Sequence, residues 1–461
     1  MPLQNPKKVT VRRAEPTSGH DLVIKGVTVI DCSGRAPFGP VDVEIIGGRI
    51  GSITDTAVAQ TAVETLDASG KYLMPGLWET EAHLTRYSNG IRSQMAIDWS
   101  VDGDPRRVES SLRSYLAHGI TSVVDLGGPP EVLAPLRERQ RRGEVTGARV
   151  LMVGRQYTAI GGQPIVGGRQ LRSVIQEVAG PEQARTLLRQ AIAEYDLDAV
   201  KVNYTVGGPP LGDAPIISRQ TLAALVQEAH IHDLPVMVHI DDADAAVDAL
   251  EAGVDNIEHM FRPCAGRLRD DVDRVTQLCL TTGAYWPFTL ATWESFARAG
   301  DPAYLDELHL ERLLPAGVRD ELEHSPESVW HVVGDEHRRR YIDRFNAAME
   351  FVAPVHAAGV KMTMATDSGN PMVFHGPSAI RELELTVRAG VGCADALMAA
   401  TSVSAEKMRY DTDLGTVAPG KIADLLLLDG DPLEDISNVR RIDAVIQGGA
   451  VHRPDDLVAS A

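Results

Sequence analysis

Six ionisable residues follow or interrupt short apolar runs that lie far apart in the chain. They are Glu81 and His83 in LWETEAH, Lys201 in DAVKVN, His239 in PVMVHI, His259 in DNIEHM and Asp367 in VKMTMATD. Imidazole nitrogens and carboxylate oxygens bind divalent metals, whereas a buried lysine without a partner is costly. Each residue alone has an ordinary structural explanation, but six of them at equivalent positions indicate one shared metal site.

The elements that would position these residues repeat along the chain. Eight apolar runs between residues 72 and 411 alternate with amphipathic stretches. Parallel strands need helical crossovers and are buried on both faces, so the alternation predicts an α/β fold, a (β/α)8 TIM barrel. Active sites of such barrels lie at the carboxyl ends of the strands, where the six residues stand.

One connection is too long for a simple crossover. The seventh apolar run ends near Leu290 and the eighth begins near Lys361, and the residues between them are rich in charge and helix formers. A connection of that length with its own secondary structure is typical of a lid or a binding insertion. The sequence therefore predicts a helical insertion over about residues 291–345.

Both ends of the chain show signals of a small β structure. Residues 21–71 alternate with period two between Gly and Pro breaks, and residues 412–455 restore strand and turn signals after the barrel. The two segments could pair in one sandwich, or the second could form a separate domain. Residues 1–20 are predicted to be an N-terminal tail.

Composition and charge exclude several classes of partner. The net charge of −19 argues against nucleic acid and anionic membranes as partners. The four cysteines are scattered without a C-x-x-C pair. No segment approaches the roughly 18 apolar residues that span a bilayer, and the N-terminus lacks the apolar core of a signal peptide. A cytoplasmic protein that acts on a small molecule or a peptide is expected.

Several longer stretches match a known family: KYLMPGLWETEAH, GITSVVDLGG, PVMVHIDDADAAVDALEAGVDNIEH, VKMTMATDSG and LGTVAPGKIADLLLLDGDPLEDI. On these stretches the chain resembles the amidohydrolase superfamily, close to its imidazolonepropionase and metal-dependent prolidase branch. The resemblance implies a (β/α)8 barrel with a small β-sandwich formed by both chain ends. It also implies one or two divalent metal ions, zinc first and manganese, cobalt or iron as alternatives. Homodimers are common in the family.

Position by position, the resemblance assigns five residues to the metal site: His83, Lys201, His239, His259 and Asp367. It implies a carbamate on Lys201, which would also replace an unfavourable buried cation by an anion. Asp367 would accept a proton from water and pass it to the leaving nitrogen.

Glu81 departs from the family pattern, which has two histidines at the end of the first strand. Glu81 could be an oxygen ligand of the more buried metal. Alternatively, that position is empty, one metal is held by His239 and His259 with Lys201 or Asp367, and Glu81 acts as an acid, a base or an orienting group. A degenerate, inactive site is the third interpretation. Molinate and phenylurea hydrolases resemble this chain in lacking the regular pair, so the substitution does not imply inactivity.

Five further residues are expected to contact the substrate. Gln163 stands where relatives often have the histidine of a G-G-H-G segment, Arg155 and Tyr157 follow the third strand, Tyr204 follows the fourth and His375 follows the eighth. Loops of this kind hold a substrate α-carboxylate in prolidase-like relatives. An alternative role for Arg155 is to satisfy nearby carbonyls or carboxylates.

The function that these features favour is hydrolysis of an amide or peptide-type C–N bond near the C-terminus of a peptide or modified peptide. Glu81, Gln163 and the long insertion indicate a specialised substrate. The bottromycin-pathway amidohydrolase, which removes a follower peptide, is a specialised relative of this kind. Alternatives are hydrolysis of a urea, thiocarbamate or lactam, deamination of a heterocycle, and a non-catalytic protein on the same fold.

Overall fold

The computed structural model describes residues 13–55, 64–86, 105–166, 169–170, 172–208, 212–310, 318–326, 328–332 and 334–459. Its strands are β1 (Leu22–Val29), β2 (Phe38–Ile46), β3 (Arg49–Thr54), β4 (Glu64–Asp67), β5 (Tyr72–Pro75), β6 (Leu77–Ala82), β7 (Ile120–Asp125), β8 (Arg149–Met152), β9 (Gln156–Ala159), β10 (Ile165–Val166), β11 (Arg169–Gln170), β12 (Ile175–Val178), β13 (Val200–Asn203), β14 (Gly207–Gly208), β15 (Gly212–Asp213), β16 (Val236–His239), β17 (Asn256–Glu258), β18 (Leu425–Leu428), β19 (Ile442–Gln447) and β20 (Ala450–His452).

The helices within the same ranges are α1 (Pro105–Ala117), α2 (Pro130–Arg141), α3 (Pro181–Glu194), α4 (Arg219–Ile231), α5 (Ala243–Ala252), α6 (Leu268–Thr282), α7 (Leu290–Ala297), α8 (Pro302–Glu307), α9 (Val318–His324), α10 (Val329–Val332), α11 (Asp335–Ala357), α12 (Pro377–Arg388), α13 (Cys393–Ala399), α14 (Ser402–Lys407) and α15 (Pro454–Ala459). None of the helices in the described part of the chain has the length and apolar character of a membrane span.

The two chain ends pair in one sheet. Its strand order is β20-β19-β18-β5-β1-β2-β3, with β4 paired to β1. The junction is the antiparallel pairing of β18 with β5, in which Leu427 lies opposite Leu73. The leucines of β18 are fully buried, which explains why the run LLLL forms a central strand. The fold class predicted from the sequence is confirmed, and the domain limits at residues 72 and 411 stay a prediction.

Eight strand positions form the barrel ring. The first two are β6 and β7. The third consists of the consecutive strands β8 and β9, of which β8 pairs with β7 and β9 pairs with β13. Strands β13, β16 and β17 are the fourth to sixth, and all these pairings are parallel. The segments around Tyr285 and 361–368 supply the last two. Tyr285 N donates to Asp255 O at 3.0 Å, and Trp286 N donates to Lys361 O at 3.0 Å. Thr80 N donates to Met364 O at 2.9 Å, so backbone hydrogen bonds connect the eighth position to the first.

The predicted insertion is helical where the structure describes it. Helices α7 to α10 follow the seventh strand position, and the long α11 returns the chain to the eighth. Helix α7 packs against both α11 and α12, so the insertion begins on the barrel wall. A separate apolar cluster around Tyr304, Leu308 and Met372 joins α8 to the loop after the eighth position.

The joint sheet provides a direct test of the fold. Replacing Leu427, which is fully buried, with alanine is expected to cost about 2–5 kcal/mol in the free energy of unfolding, because a cavity forms where β18 meets β5. Denaturant unfolding of both proteins would measure this. The control is Ile46→Ala in the same sheet, where Ile46 is 56% exposed and the expected change is within about 0.5 kcal/mol. Equal effects at the two positions would contradict the pairing of the chain ends.

Candidate metal and catalytic site

Four of the predicted residues meet at the carboxyl edge of the barrel ring. His83 Nε2 lies 3.1 Å from Asp367 Oδ1, and His259 Nε2 lies 3.9 Å from Asp367 Oδ2. The rings of His239 and His259 meet edge to face with centroids 4.7 Å apart. Asp367 is therefore the common neighbour of two histidines, and His239 joins the group through His259.

Glu81 and Lys201 extend this group into the barrel. Lys201 Nζ donates to Glu81 Oε1 at 3.0 Å, and both side chains are almost completely buried. His259 Nε2 lies 3.4 Å from the same Glu81 oxygen. The structure thus brings all six predicted residues together, with the Glu81 carboxylate bound to the lysine.

Outer contacts orient two of the imidazole rings. His239 Nε2 lies 3.5 Å from Asp241 Oδ2, and His259 Nδ1 lies 2.9 Å from Thr289 Oγ1. These contacts leave Nδ1 of His239 and Nε2 of His259 to face other ligands. A metal-binding histidine usually has its second nitrogen held in this way.

The histidine environment favours the neutral imidazole. Burial and the charge of Arg86 lower the pKa of His83 to about 4, against the opposing effect of Asp367. Burial also lowers the pKa of His259 well below its ordinary value, and the charge of His239 acts in the same direction. Neutral imidazole is the form that binds a metal.

The Asp367 carboxyl is held in its ionised form. Burial raises its pKa, but the hydrogen bond from His83 and the electrostatic effects of His259, His83 and Arg86 outweigh burial, and the net shift is downward. Arg86 is buried and also acts on Asp125 and Glu81. Neither Arg86 nor Asp125 was identified from the sequence as part of the site.

Backbone strain occurs at the same place. His259, Thr289 and Asp367 have φ values of 73°, 53° and 55°, a region that residues other than glycine rarely adopt. Such strain often marks functional sites, because the surrounding structure must maintain it. Gly369 has a φ of 98°, and a Cβ there would lie 2.6 Å from His83 O. Glycine therefore lets the loop after the eighth position approach His83.

The helical insertion contacts the surroundings of His239 and His259 through two residues that sequence patterns did not reveal. The Arg344 guanidinium carbon lies 3.7 Å from the centre of the Trp293 ring, and that ring packs edge-on against His259. Arg344 Nη1 donates to Asp241 Oδ1 at 3.0 Å. The insertion therefore touches both the carboxylate beside His239 and the ring of His259.

The donor types fit a divalent metal. Imidazole nitrogens with carboxylate oxygens suit zinc, and also manganese, cobalt or iron. Two buried atoms that could bind a metal, Glu81 Oε2 and His83 Nδ1, have no hydrogen-bond partner among the described residues. The donors otherwise satisfy one another in pairs, and in the described ranges no three His, Cys, Asp or Glu side chains are arranged so as to hold an ion. Metal binding would require some of these contacts to open.

Comparison with known families identifies this architecture. Residues 72–451 match the model of the "Amidohydrolase family". The chain belongs to the amidohydrolase family. The resemblance seen in the sequence is thereby confirmed, and membership places the chain among hydrolases that act on carbon–nitrogen bonds.

Individual relatives of this amidohydrolase are more distant. An allantoinase from Deinococcus radiodurans is 29% identical over 128 residues, which cover 27% of this chain and 25% of the allantoinase. Another curated relative is matched over only 11% of its length, so the chain spans a small part of the curated proteins that it matches.

Solved structures match over nearly the whole chain. A prolidase complexed with N-methylphosphonate-L-proline is 25% identical, covers 94% of this chain and 99% of its own, and has a TM-score of 0.72. A bottromycin amidohydrolase is 20% identical with a TM-score of 0.68, covering 96% of this chain and 88% of its own. At that identity the second likeness shows the fold alone.

The five residues expected to contact substrate in this amidohydrolase lie in different surroundings. Tyr157, Gln163 and His375 are buried, and the His375 ring lies 5.4 Å from the ring of Tyr115. Arg155 instead pairs with Glu131 at 2.7 Å, in agreement with the alternative role considered for it. Tyr204 donates to Asp248 of α5 at 3.1 Å. The structure does not bring these last two side chains into the histidine cluster.

Asp241 is a neighbour of His239 that the sequence could have revealed. It stands two residues after His239 in V-H-I-D-D, and a carboxylate at that spacing can hold the second nitrogen of a metal-binding histidine. Its pKa is raised by burial, but the hydrogen bond and charge of His239 and the charge of Arg344 outweigh burial and lower it well below the ordinary value. Asp241 therefore remains an anion beside His239.

Replacing Asp241 with asparagine is expected to weaken metal binding by about 10- to 100-fold, because the carboxylate that orients His239 is lost. Competition with a chelating dye would measure the affinity, and circular dichroism would check the fold. Asp248→Asn is the matched control, because Asp248 lies on α5 and binds Tyr204 and Arg219 instead. An unchanged affinity in Asp241→Asn would show that His239 does not depend on this carboxylate.

Proposed function

We propose that this amidohydrolase is a metal-dependent hydrolase that cleaves an amide or peptide C–N bond near the C-terminus of a peptide or modified peptide. The observation that supports it is the meeting of His83, His259 and Asp367, with His239 against His259, at the carboxyl edge of the barrel. Barrel enzymes place their catalytic groups at this edge.

His239, His259 and Asp367 would hold a divalent ion, and His83 lies across Asp367 from them. We favour zinc because imidazole nitrogens dominate this set, with manganese, cobalt or iron as alternatives. An ion bound there supplies a Lewis acid that polarises the scissile carbonyl and makes water more acidic. The roles of Glu81 and Lys201 are considered in the following subsection.

Asp367 would move the proton. His83 Nε2 lies against Oδ1, whereas Oδ2 faces His259 at the longer distance of 3.9 Å, so Oδ2 is the oxygen that we assign to accept a proton from water. Its net lowered pKa keeps the carboxyl ionised at neutral pH. The protonated form is then a strong acid, and it would pass the proton readily to the leaving nitrogen.

Positive charge near His239 supports a substrate that carries a carboxylate. Arg344 and the half-buried Arg262 both act on Asp241, so two guanidinium groups oppose one carboxylate there. His239 is 26% exposed and faces an accessible space. The prolidase structure complexed with N-methylphosphonate-L-proline supports the same substrate class. Tyr157, Gln163 and His375 are proposed to line the pocket.

A specialised role, such as natural-product metabolism, is part of the proposal. It is supported by the substitution of Glu81, by Gln163 and by the insertion that reaches His259 through Trp293. A cytoplasmic location is proposed from the scattered cysteines, all four of which are free. A homodimer is proposed because homodimers are common in the family.

The test is a substrate panel assayed with metal-stripped and reconstituted protein. The panel contains N-acyl amino acids, X-Pro dipeptides, longer peptides with a free or amidated C-terminus, ureas, thiocarbamates, lactams and heterocyclic amines. Metal-dependent cleavage of C-terminal amide bonds, with free acids preferred over amides, is expected. Ammonia release from heterocycles without peptide cleavage would indicate a deaminase, and cleavage of ureas or thiocarbamates alone would indicate the small-molecule alternative. No turnover by metal-loaded protein on any substrate would contradict the proposal.

A further inference from the structure

A second buried ion pair lies next to the pair formed by Lys201 and Glu81. Lys407 Nζ, at the end of α14, lies 3.5 Å from Glu258 Oε1, and both side chains are almost completely buried. Glu258 is the last residue of β17 and immediately precedes His259. Its two oxygens make no hydrogen bond among the described residues, and the ion pair with Lys407 stabilises its charge there.

The two pairs act on each other. The charge of Glu258 acts on Glu81, and the charges of Glu81 and Lys201 both act on Lys407. Lys407 also lies 3.5 Å from the hydroxyl oxygens of Thr80 and Thr363 on the first and eighth positions of the ring. Glu81, Lys201, Glu258 and Lys407 are therefore one group, which we call the charge quartet.

The charge quartet is electrically neutral when both carboxyl groups are ionised, because two carboxylates then face two ammonium groups. Burial and the charges of Glu258 and Asp367 raise the pKa of Glu81, and the Lys201 ammonium opposes that shift. Buried charges are tolerated only when they are paired in this way, and removal of one partner leaves an uncompensated charge. A carbamate on Lys201 would turn one cation into an anion. It would also place two oxygens beside Glu81 Oε1, which now lies 3.0 Å from Lys201 Nζ. In the metal-free protein, three anions would then share the single cation of Lys407.

We propose that Lys201 stays an uncarboxylated ammonium with Glu81 as its counter-ion, that Glu258 and Lys407 complete the neutral quartet, and that the site holds one divalent ion. This inference rests on the proposed metal-dependent function. Glu81 is then a positioning residue for Lys201, and the ammonium occupies the region where a second ion would add positive charge. The histidine missing from the first strand follows from this arrangement, since a neutral imidazole would leave the quartet with a net positive charge.

The first test counts metal and carbamate in the unsubstituted protein. Titration of the stripped protein with zinc, followed by elemental analysis, is expected to give one equivalent per chain, with or without bicarbonate. Protein prepared in ¹³C-labelled bicarbonate is expected to show no carbamate resonance in the carbon NMR spectrum. Two equivalents of zinc, a bicarbonate requirement, or a carbamate resonance that disappears in Lys201→Met would overturn the inference.

The second test measures coupling within the charge quartet in the metal-free protein. Glu81→Gln and Lys407→Met each leave one excess charge and are expected to lower the melting temperature, whereas the double variant restores neutrality and is expected to melt above the less stable single variant. Lys361→Met is the control, because the Lys361–Glu406 pair is exposed and its coupling to Glu81→Gln should be absent. Additive losses for Glu81→Gln and Lys407→Met would contradict the quartet.

The proposed function and the charge quartet can be rejected independently. One equivalent of zinc with no hydrolysis of the substrate panel would reject the proposed function and keep the charge quartet. Hydrolysis by a protein that holds two ions and a carbamate would reject the quartet and keep the function. If Glu81→Gln does not fold, metal stoichiometry and the carbon spectrum of the unsubstituted protein still decide.

Discussion

Replacing His239 with alanine is expected to lower turnover by more than about 100-fold, because loss of a metal ligand should exceed the 10- to 100-fold effect typical of losing its supporting partner. The fold should survive the change. The His239 side chain is 26% exposed, and its closest polar contact is the 3.5 Å approach to Asp241. Of the three histidines in the cluster it is therefore the one whose removal disturbs the core least.

The readouts for His239→Ala are zinc affinity, turnover on the best panel substrate and the melting temperature of the metal-free protein. Zinc affinity and turnover should fall together while the metal-free melting temperature stays near that of the unsubstituted protein. His232→Ala provides a control of similar exposure, since His232 lies after α4 and faces Glu228. If His239→Ala retained full zinc affinity and turnover, the cluster would not be the metal site.

Much of the fold could be predicted because its signals are local. Each apolar run, such as DAVKVN or PVMVHI, is short and bounded by helical stretches, and parallel strands must meet at one edge of the ring. That geometry alone brought His83, His239, His259 and Asp367 into contact range. The pairing of β18 with β5 was less accessible, because nothing in LLLL specifies which distant strand it joins.

The ion pair between Lys407 and Glu258 could not be predicted for a related reason. Lys407 ends a short helix in a stretch that reads as ordinary surface sequence, and Glu258 looked like the flank of a histidine motif. Their pairing joins residues 149 positions apart, and no local pattern encodes it. The contacts of Arg344 could not be predicted for a different reason. It lies in the charge-rich helix α11, whose first turns are exposed, but its own position faces Trp293 and Asp241.

The side-chain directions of loop residues were harder to predict. Arg155 and Tyr204 follow strand ends and were expected to reach the substrate, yet each side chain binds a carboxylate on a neighbouring helix. A strand end fixes where a backbone lies but not where a long side chain in the next loop points. Packing limits the directions of buried side chains such as Tyr157 and His375, but it does not reveal from the sequence which of them face a substrate.

The second large effect is expected for Asp367→Asn, which should lower turnover by about 10²- to 10⁴-fold through loss of the proton acceptor. The amide oxygen can still accept from His83 Nε2, now 3.1 Å from Oδ1, so the loop should keep its position. The variant also removes the anion that opposes burial in setting the pKa of His83, so that pKa should fall further below about 4. His83 therefore remains neutral above pH 5 in both proteins, so a loss of turnover in this range reports the missing Asp367 carboxylate and not a change in the charge of His83.

Measurements on Asp367→Asn should be made at saturating zinc, so that lost turnover is separated from lost metal. A lower kcat with a smaller change in KM would support a role in the chemical step, whereas a rise in KM alone would indicate a role in substrate binding. Asp395→Asn is the control, because Asp395 is an exposed carboxylate near His356. Full turnover by zinc-loaded Asp367→Asn would assign proton transfer to another group, and Glu81, the remaining carboxylate in contact with His259, would be the first to examine.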